Sequence, residues 1–247
     1  MKIAFLGKGG SGKSTLATAL VRYVHKKGIR ALAIDADHNM DLSFNLGGSE
    51  SLPHLGSDPY RIKEHIGVDP DTSYAETFEY AQKRGITYRI SPPDSFTAHV
   101  TTELQKDLLL MTAGPHTDIV RSGKHCSHSL AAPLKVFLPL LQLGENEAVV
   151  IDERAGTDPV ATGILKSVDL AVIVTEPTVH SIRVSQQIAH ELDLAQVPYI
   201  FVANKIRNDE DAKAVESLGT PVIAIPFGMS GDVEHDVIQK IVDAVSL

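Results

Sequence analysis

The sequence predicts an α/β fold, a mostly parallel sheet of seven to eight strands with helices on both faces. Two observations carry this. The predicted strands are continuous apolar runs rather than alternating ones, as strands covered on both faces should be. The first 35 residues read strand, glycine loop, helix, strand, a βαβ unit whose crossover is right-handed and whose strands are parallel. With 247 residues and 43% apolar content, the chain matches the size of one large domain, 1–247, with a full core.

The elements follow in order. Residues 2–6 (KIAFL) form a short apolar strand. After the glycine loop, STLATALVRYVHKK places Leu16, Leu20 and Val24 at helical spacing, and Gly28 suits the helix end. RALAID (30–35) is the second buried strand. Further apolar runs lie at 107–114, 148–152, 170–177 and 198–205, with helical segments between several of them. A last short strand at 221–226 precedes a terminal helix near 232–245. Residues 47–106 break the rhythm: rich in Gly, Pro, Ser and charge, with mixed periodicity, they predict an irregular insertion.

Composition excludes some functions. A net charge of -8 argues against coating nucleic acid, which needs Lys and Arg in excess. No stretch approaches the roughly 20 apolar residues that span a bilayer, and the first strand runs into a glycine loop rather than a cleavage site. A single cysteine, Cys126, makes no internal disulfide and fits a reducing compartment. A cytoplasmic protein is expected.

GKGGSGKS at 7–14 matches G-x-x-x-x-G-K-[ST] between a predicted strand and a predicted helix, the context a phosphate-binding P-loop requires. The glycines let backbone N–H groups turn toward phosphate oxygens, and the helix presents its positive end to them. Lys13 neutralises the outer phosphates and Ser14 ligates magnesium. Gly7, Gly9 and Gly12 also satisfy G-x-G-x-x-G, with Asp35 ending the next strand where a ribose-binding acid would stand. Lys13 and Ser14 follow at once, however, and Lys8 has no use in a dinucleotide loop.

AVVIDERAG is an apolar strand delivering Asp152 at its C-terminal end, where doubly wound sheets place ligands. Asp152 is the candidate acid that bonds a magnesium-bound water, and Gly156 is placed to offer its N–H to the γ-phosphate. Asp35, Asp37 and Asp41 follow the second strand. Phosphoryl transfer to water needs the nucleophile oriented more than activated. Asp37 is the candidate for that task; Asp41 is read equally well as part of a solvated acidic loop.

With Lys8 included, KGGSGKST resembles the deviant Walker A sequence of the MinD/ParA-like ATPases. The resemblance extends to DADHN, VIDERAG, TEP (175–177), VANK and IPF (225–227), covering nearly the whole chain. It implies a P-loop ATPase that binds ATP and ADP with Mg2+ and closes into an ATP-sandwiched homodimer. There, Lys8 would reach the phosphates of the other subunit, and Asp37 would match the water-positioning acid. Gly9, Gly10, Ser11, Gly12, Lys13, Ser14 and Thr15 would hold the phosphates. Asn204 would bond adenine, with Lys205 beside it and Pro226 in the loop that flanks the base.

DADHNMDLSFNLG, D-x-x-A-G at 152–156 and TEPTVHSIRVSQQIAHELDL are most similar to the CooC-like ATPases, which assist nickel insertion into carbon monoxide dehydrogenase or mature acetyl-CoA synthase. The similarity implies a client metalloenzyme. The alternative within the family is a positioning or partition ATPase without a metal role. The chain ends in DVEHDVIQKIVDAVSL, with more acids than bases, which argues against direct membrane docking. CooC-like proteins carry C-x-C after the mid-chain strand, whereas this chain reads GKHCSHS at 123–129. Cys126 and His128 are a candidate zinc or nickel pair, with His125 in reserve. A polar loop of solvated histidines is the other reading.

Overall fold

The computed structural model describes residues 1–49, 51–116, 127–161, 163–219, 222–228 and 231–245, with the backbone alone at 127–128 and 231–234. Its eight strands are β1 (Lys2–Gly7), β2 (Arg30–Asp35), β3 (Thr102–Gln105), β4 (Leu108–Thr112), β5 (Glu147–Asp152), β6 (Leu170–Thr175), β7 (Tyr199–Ile206) and β8 (Val222–Pro226). They lie in the order β3-β4-β2-β5-β1-β6-β7-β8. Every pairing is parallel except that of β3 with β4. The mostly parallel sheet is thus as the apolar runs predicted.

The described helices are α1 (Lys13–Lys26), α2 (Asp41–Asn45), α3 (Arg61–Ile66), α4 (Tyr74–Lys83), α5 (Ser95–Val100), α6 (Leu134–Leu140), α7 (Asp158–Ala161), α8 (Val179–Ala195), α9 (Asp209–Glu216) and α10 (Gly231–Val245). Two apolar layers flank the sheet because successive strand residues point to opposite faces. Ile3 and Phe5 of β1 join Leu16, Leu20 and Val24 of α1 and Ile238 of α10. Ala4 and Leu6 join the other layer, with Phe137 of α6 and Ile188 and Leu192 of α8. No helix among the described residues is long and apolar enough to cross a membrane.

Residues 47–106, expected to be irregular, hold α3, α4, α5 and β3. The signal for α4 is in the sequence: Ser73 accepts from the Glu76 N–H while the Glu76 carboxylate accepts from the Ser73 N–H, a capping box at S-x-x-E spacing. Asp94 caps α5 in a similar way, accepting from the Phe96 and Thr97 N–H groups. Tyr88, fully buried, anchors the segment by packing on Phe96 and Phe137. The eighth strand, β3, has four residues and sits at the sheet edge, too short for its alternation to be read as a pattern.

The chain runs from β1 to β2 on one side and, after β5, crosses to β6 on the other. β1 therefore lies between β5 and β6 at a reversal of strand order, where a crevice opens at the strand C-termini. Gly7, Asp35, Asp152, Thr175 and Pro226 all end strands on that edge.

Candidate functional site

The phosphate loop is built on glycine by necessity. A Cβ at Gly7, at φ 144°, would lie 2.1 Å from the Val174 carbonyl oxygen on β6, so no side chain fits there. Gly12, at φ 103°, is the N-cap of α1, and no side chain caps that helix. Its first turn carries no acid. The positive helix end and its unpaired N–H groups therefore face the loop. Within the loop, the Ser11 N–H donates to the Lys8 carbonyl at 3.2 Å, and Lys13 Nζ donates to the same oxygen at 3.3 Å. Ser11 and Lys13 are buried, Lys8 and Ser14 half-buried, and Gly9, Gly10 and Thr15 exposed. Burial lowers the Lys13 pKa, and the charges of Asp152, Asp37 and Asp41 oppose that shift.

Three buried carboxyl groups meet at the ends of β2 and β5. Asp35 and Asp152 are partners in strand register. Asp35 accepts from the Ser43 N–H at 2.8 Å and the Asp37 N–H at 3.2 Å, so it pins the turn that carries Asp37. Burial pushes its pKa up to about 8. Asp152 differs, since neither carboxylate oxygen has a hydrogen-bond partner. Burial pushes its pKa up to about 6, opposed by the nearby Ser14 hydroxyl and by Lys13. An orphaned buried carboxylate beside a serine hydroxyl is a donor set suited to a hard, oxygen-seeking cation such as Mg2+.

Glu153 was not anticipated. It is 1% exposed, its Oε1 has no partner, and burial together with the Asp152 charge pushes its pKa up to about 8. A second acid directly after the strand-ending aspartate was the available signal. The Gly156 N–H, the candidate γ-phosphate donor, donates to the Gly7 carbonyl at 3.2 Å.

Asp37 follows β2, its charge felt at Lys13 and Asp152. Its Oδ1 accepts from the Asn39 N–H at 3.1 Å and stands 3.3 Å from His38 Nδ1. The His38 ring stacks on His116, with centroids 4.3 Å apart. Asp41 opens α2 and is exposed, its charge felt at Lys13 and Asp152.

On the other flank, a cleft of about 470 Å³ runs from the phosphate loop to the end of β8, bounded by Thr15, Asn204, Lys205, Pro226 and Phe227. Asn204 Nδ2 donates to the Ser11 carbonyl at 2.8 Å. Lys205 Nζ donates to the Gly10 carbonyl at 2.8 Å and to Glu176 Oε1 at 2.5 Å. Glu176, in the TEP turn, anchors the lysine that braces the loop. Phe227, 60% exposed, carries the Arg207 guanidinium over its ring at 4.9 Å. An exposed aromatic face beside a polar cleft suits a planar heterocycle.

Lys13, Ser14, Asp37 and Asp152 are thus gathered at one end of the crevice and Asn204, Lys205 and Pro226 at the other. The transition-metal pair is a separate matter: His125 and Cys126 lie outside the described residues, as does the side chain of His128. Among the described residues, no three His, Cys, Asp or Glu side chains are grouped to hold a metal ion.

Known proteins resemble this arrangement over nearly its whole length. The CobQ/CobB/MinD/ParA nucleotide binding domain matches residues 3–229. The carbon monoxide dehydrogenase accessory protein CooC of Rhodospirillum rubrum is 31% identical over 221 residues, covering 85% of this chain and 76% of its own length. The ATP-binding protein MJ0084 of Methanocaldococcus jannaschii is 28% identical over 261 residues, covering 100% of this chain and 99% of its own. The septum site-determining protein MinD of Pyrococcus horikoshii, solved with Mg-ADP, superposes with a TM-score of 0.59 at 18% identity, over 97% of this chain and 85% of that one.

Proposed function

This chain belongs to the CobQ/CobB/MinD/ParA family of P-loop ATPases, and from that premise we propose a magnesium-dependent ATPase cycling between an open and an ATP-closed homodimer. The observation that carries the reading is Asp152: a buried carboxylate with both oxygens unpartnered, placed beside Ser14 and Lys13 at the end of the central strands. Ser14 and Asp152 would hold the magnesium ion, Asp152 through a bound water. When bound there, the ion would supply neutralisation of the charge on the phosphate oxygens.

The chain's own groups do the rest. Lys13 and the N–H groups at the start of α1 bind the phosphates. Asp37 orients a water molecule whose oxygen forms a bond to the γ-phosphorus as the bond to the β–γ bridging oxygen breaks, giving ADP and phosphate. Lys8 acts across the dimer interface on the partner's phosphates. Asn204 and the turn ending at Phe227 hold the base. The test is ATP turnover with magnesium titrated from zero. Wild type should turn over only with the ion, and Asp152→Asn should require far more of it; magnesium-independent turnover would overturn the assignment.

The role we infer for this cycle is assistance of metal insertion, nickel in the first instance, into a client metalloenzyme. Its support is the similarity to a carbon monoxide dehydrogenase accessory protein. The test is reconstitution of a nickel-free client of that class with nickel, ATP and this protein. Faster activation that depends on ATP supports the role, and activation at the unassisted rate removes it.

A further inference from the structure

We propose that His38 is a positioning residue for Asp37, its Nδ1 set against Asp37 Oδ1 so that it can donate there when the attacking water is bound, with His116 stacked behind the imidazole to hold its plane. The inference rests on the ATPase reading, in which Asp37 orients the attacking water.

Three observations support it. His38 Nδ1 is screened from solvent, makes no hydrogen bond in this structure, and stands 3.3 Å from Asp37 Oδ1, within reach of one after a small turn of the ring. The same oxygen accepts from the Asn39 N–H at 3.1 Å, so both contacts fall on Oδ1 and leave Oδ2 available to water. The imidazole is itself fixed, its ring lying within 20° of parallel to that of His116. A carboxylate held at one oxygen has a defined plane, and orientation of the nucleophile is what hydrolysis of this kind asks of the protein.

The charge state matters because only the neutral imidazole leaves the Asp37 charge intact. Burial lowers the basicity of His38; Asp37 opposes this, while His116 and Arg154 reinforce it. Asp37 in turn faces the charges of Lys13, Asp152 and Glu153. At neutral pH His38 is therefore an uncharged donor. On acidification it becomes an imidazolium that pairs with Asp37 and weakens its hold on the water.

The experiment uses the full chain. Histidine ring resonances, followed by NMR across pH without nucleotide, should show the His38 titration moving to lower pH in Asp37→Asn, which removes the carboxylate that favours the imidazolium. His116→Ala should move it to higher pH. In steady-state kinetics, His38→Ala should lower kcat about tenfold with KM for ATP unchanged within about twofold. His38→Asn, whose side-chain N–H can donate from a similar place, should recover most of kcat and lose the acid limb of the pH profile. A His38 titration indifferent to Asp37→Asn, or full kcat in His38→Ala, overturns the inference. If Asp37→Asn itself hydrolyses ATP normally, the role of Asp37 falls first. Should His38→Ala fail to fold, the Asp37→Asn titration and His38→Asn kinetics still decide.

Discussion

Asn204 Nδ2 donates to the carbonyl of Ser11 at 2.8 Å, joining β7 to a phosphate loop 193 residues earlier. A Cβ at Gly12 would sit 2.4 Å from that nitrogen, on a backbone at φ 103°. Gly12→Ala must therefore break the contact while straining the loop. It is expected to weaken ATP binding by about a hundredfold, and Asn204→Ala, which removes the brace alone, by about tenfold. Calorimetric titration with ATP checks both; equal affinities for the two variants would contradict the steric argument.

Lys13→Ala should abolish measurable hydrolysis without unfolding the chain. The loop amides cannot by themselves balance the charge building on the β- and γ-phosphates. Circular dichroism would report the fold and phosphate release the activity. Near-normal turnover would remove the P-loop assignment.

Asp37→Asn should keep ATP and magnesium binding and lower kcat about a hundredfold, because binding groups stay in place while the water loses its orienting acid. The variant should accumulate as a closed dimer. Light scattering with ATP would show this, and a species that stays monomeric would count against Lys8 acting across the interface.

The buried acids give stability a sign with pH. Asp35 and Glu153 have folded pKa values near 8, and Asp152 near 6, all above those of an unfolded chain. Between the unfolded and folded values the native state holds more protons than the unfolded one. Their contribution is therefore full below about pH 4 and lost as pH rises through 6 to 8. Glu153→Gln, neutral at every pH, should melt several degrees above wild type at pH 8.5, with the gap closing toward pH 5. Melting curves at constant ionic strength would test this; a gap that does not vary with pH would exclude Glu153 as the source.

The Cys126 and His128 pair yields a prediction from ligand chemistry. One chain offers two donors, and a two-fold axis would double them to the four of a closed zinc-like site. Wild type supplied with zinc or nickel should carry one ion per dimer, and Cys126→Ser and His128→Ala should carry none. Binding should weaken on acidification through the histidine range. Native mass spectrometry gives the stoichiometry, and full metal content in both variants would eliminate the site.

By itself the sequence determined what repeats or clusters locally. Seven apolar runs announced the sheet, because strands buried on both faces must be apolar throughout. The phosphate loop was legible because its glycines, Lys13 and Ser14 are consecutive, and Asp152 because it closes an apolar strand. Tertiary structure alone decided what spans the chain. Lys205 meets Glu176 and Gly10, and His38 meets His116, 78 residues later. No periodicity records such pairs; they exist because parallel strands bring their C-terminal ends to one edge. Burial, too, emerged only on folding: Asp35, Asp152 and Glu153 read as ordinary acids until packing removed their water and raised their pKa values. The short helices α3 and α5 escaped notice because six residues are less than two turns, too few to display a period, and their stability comes from the layer they cover.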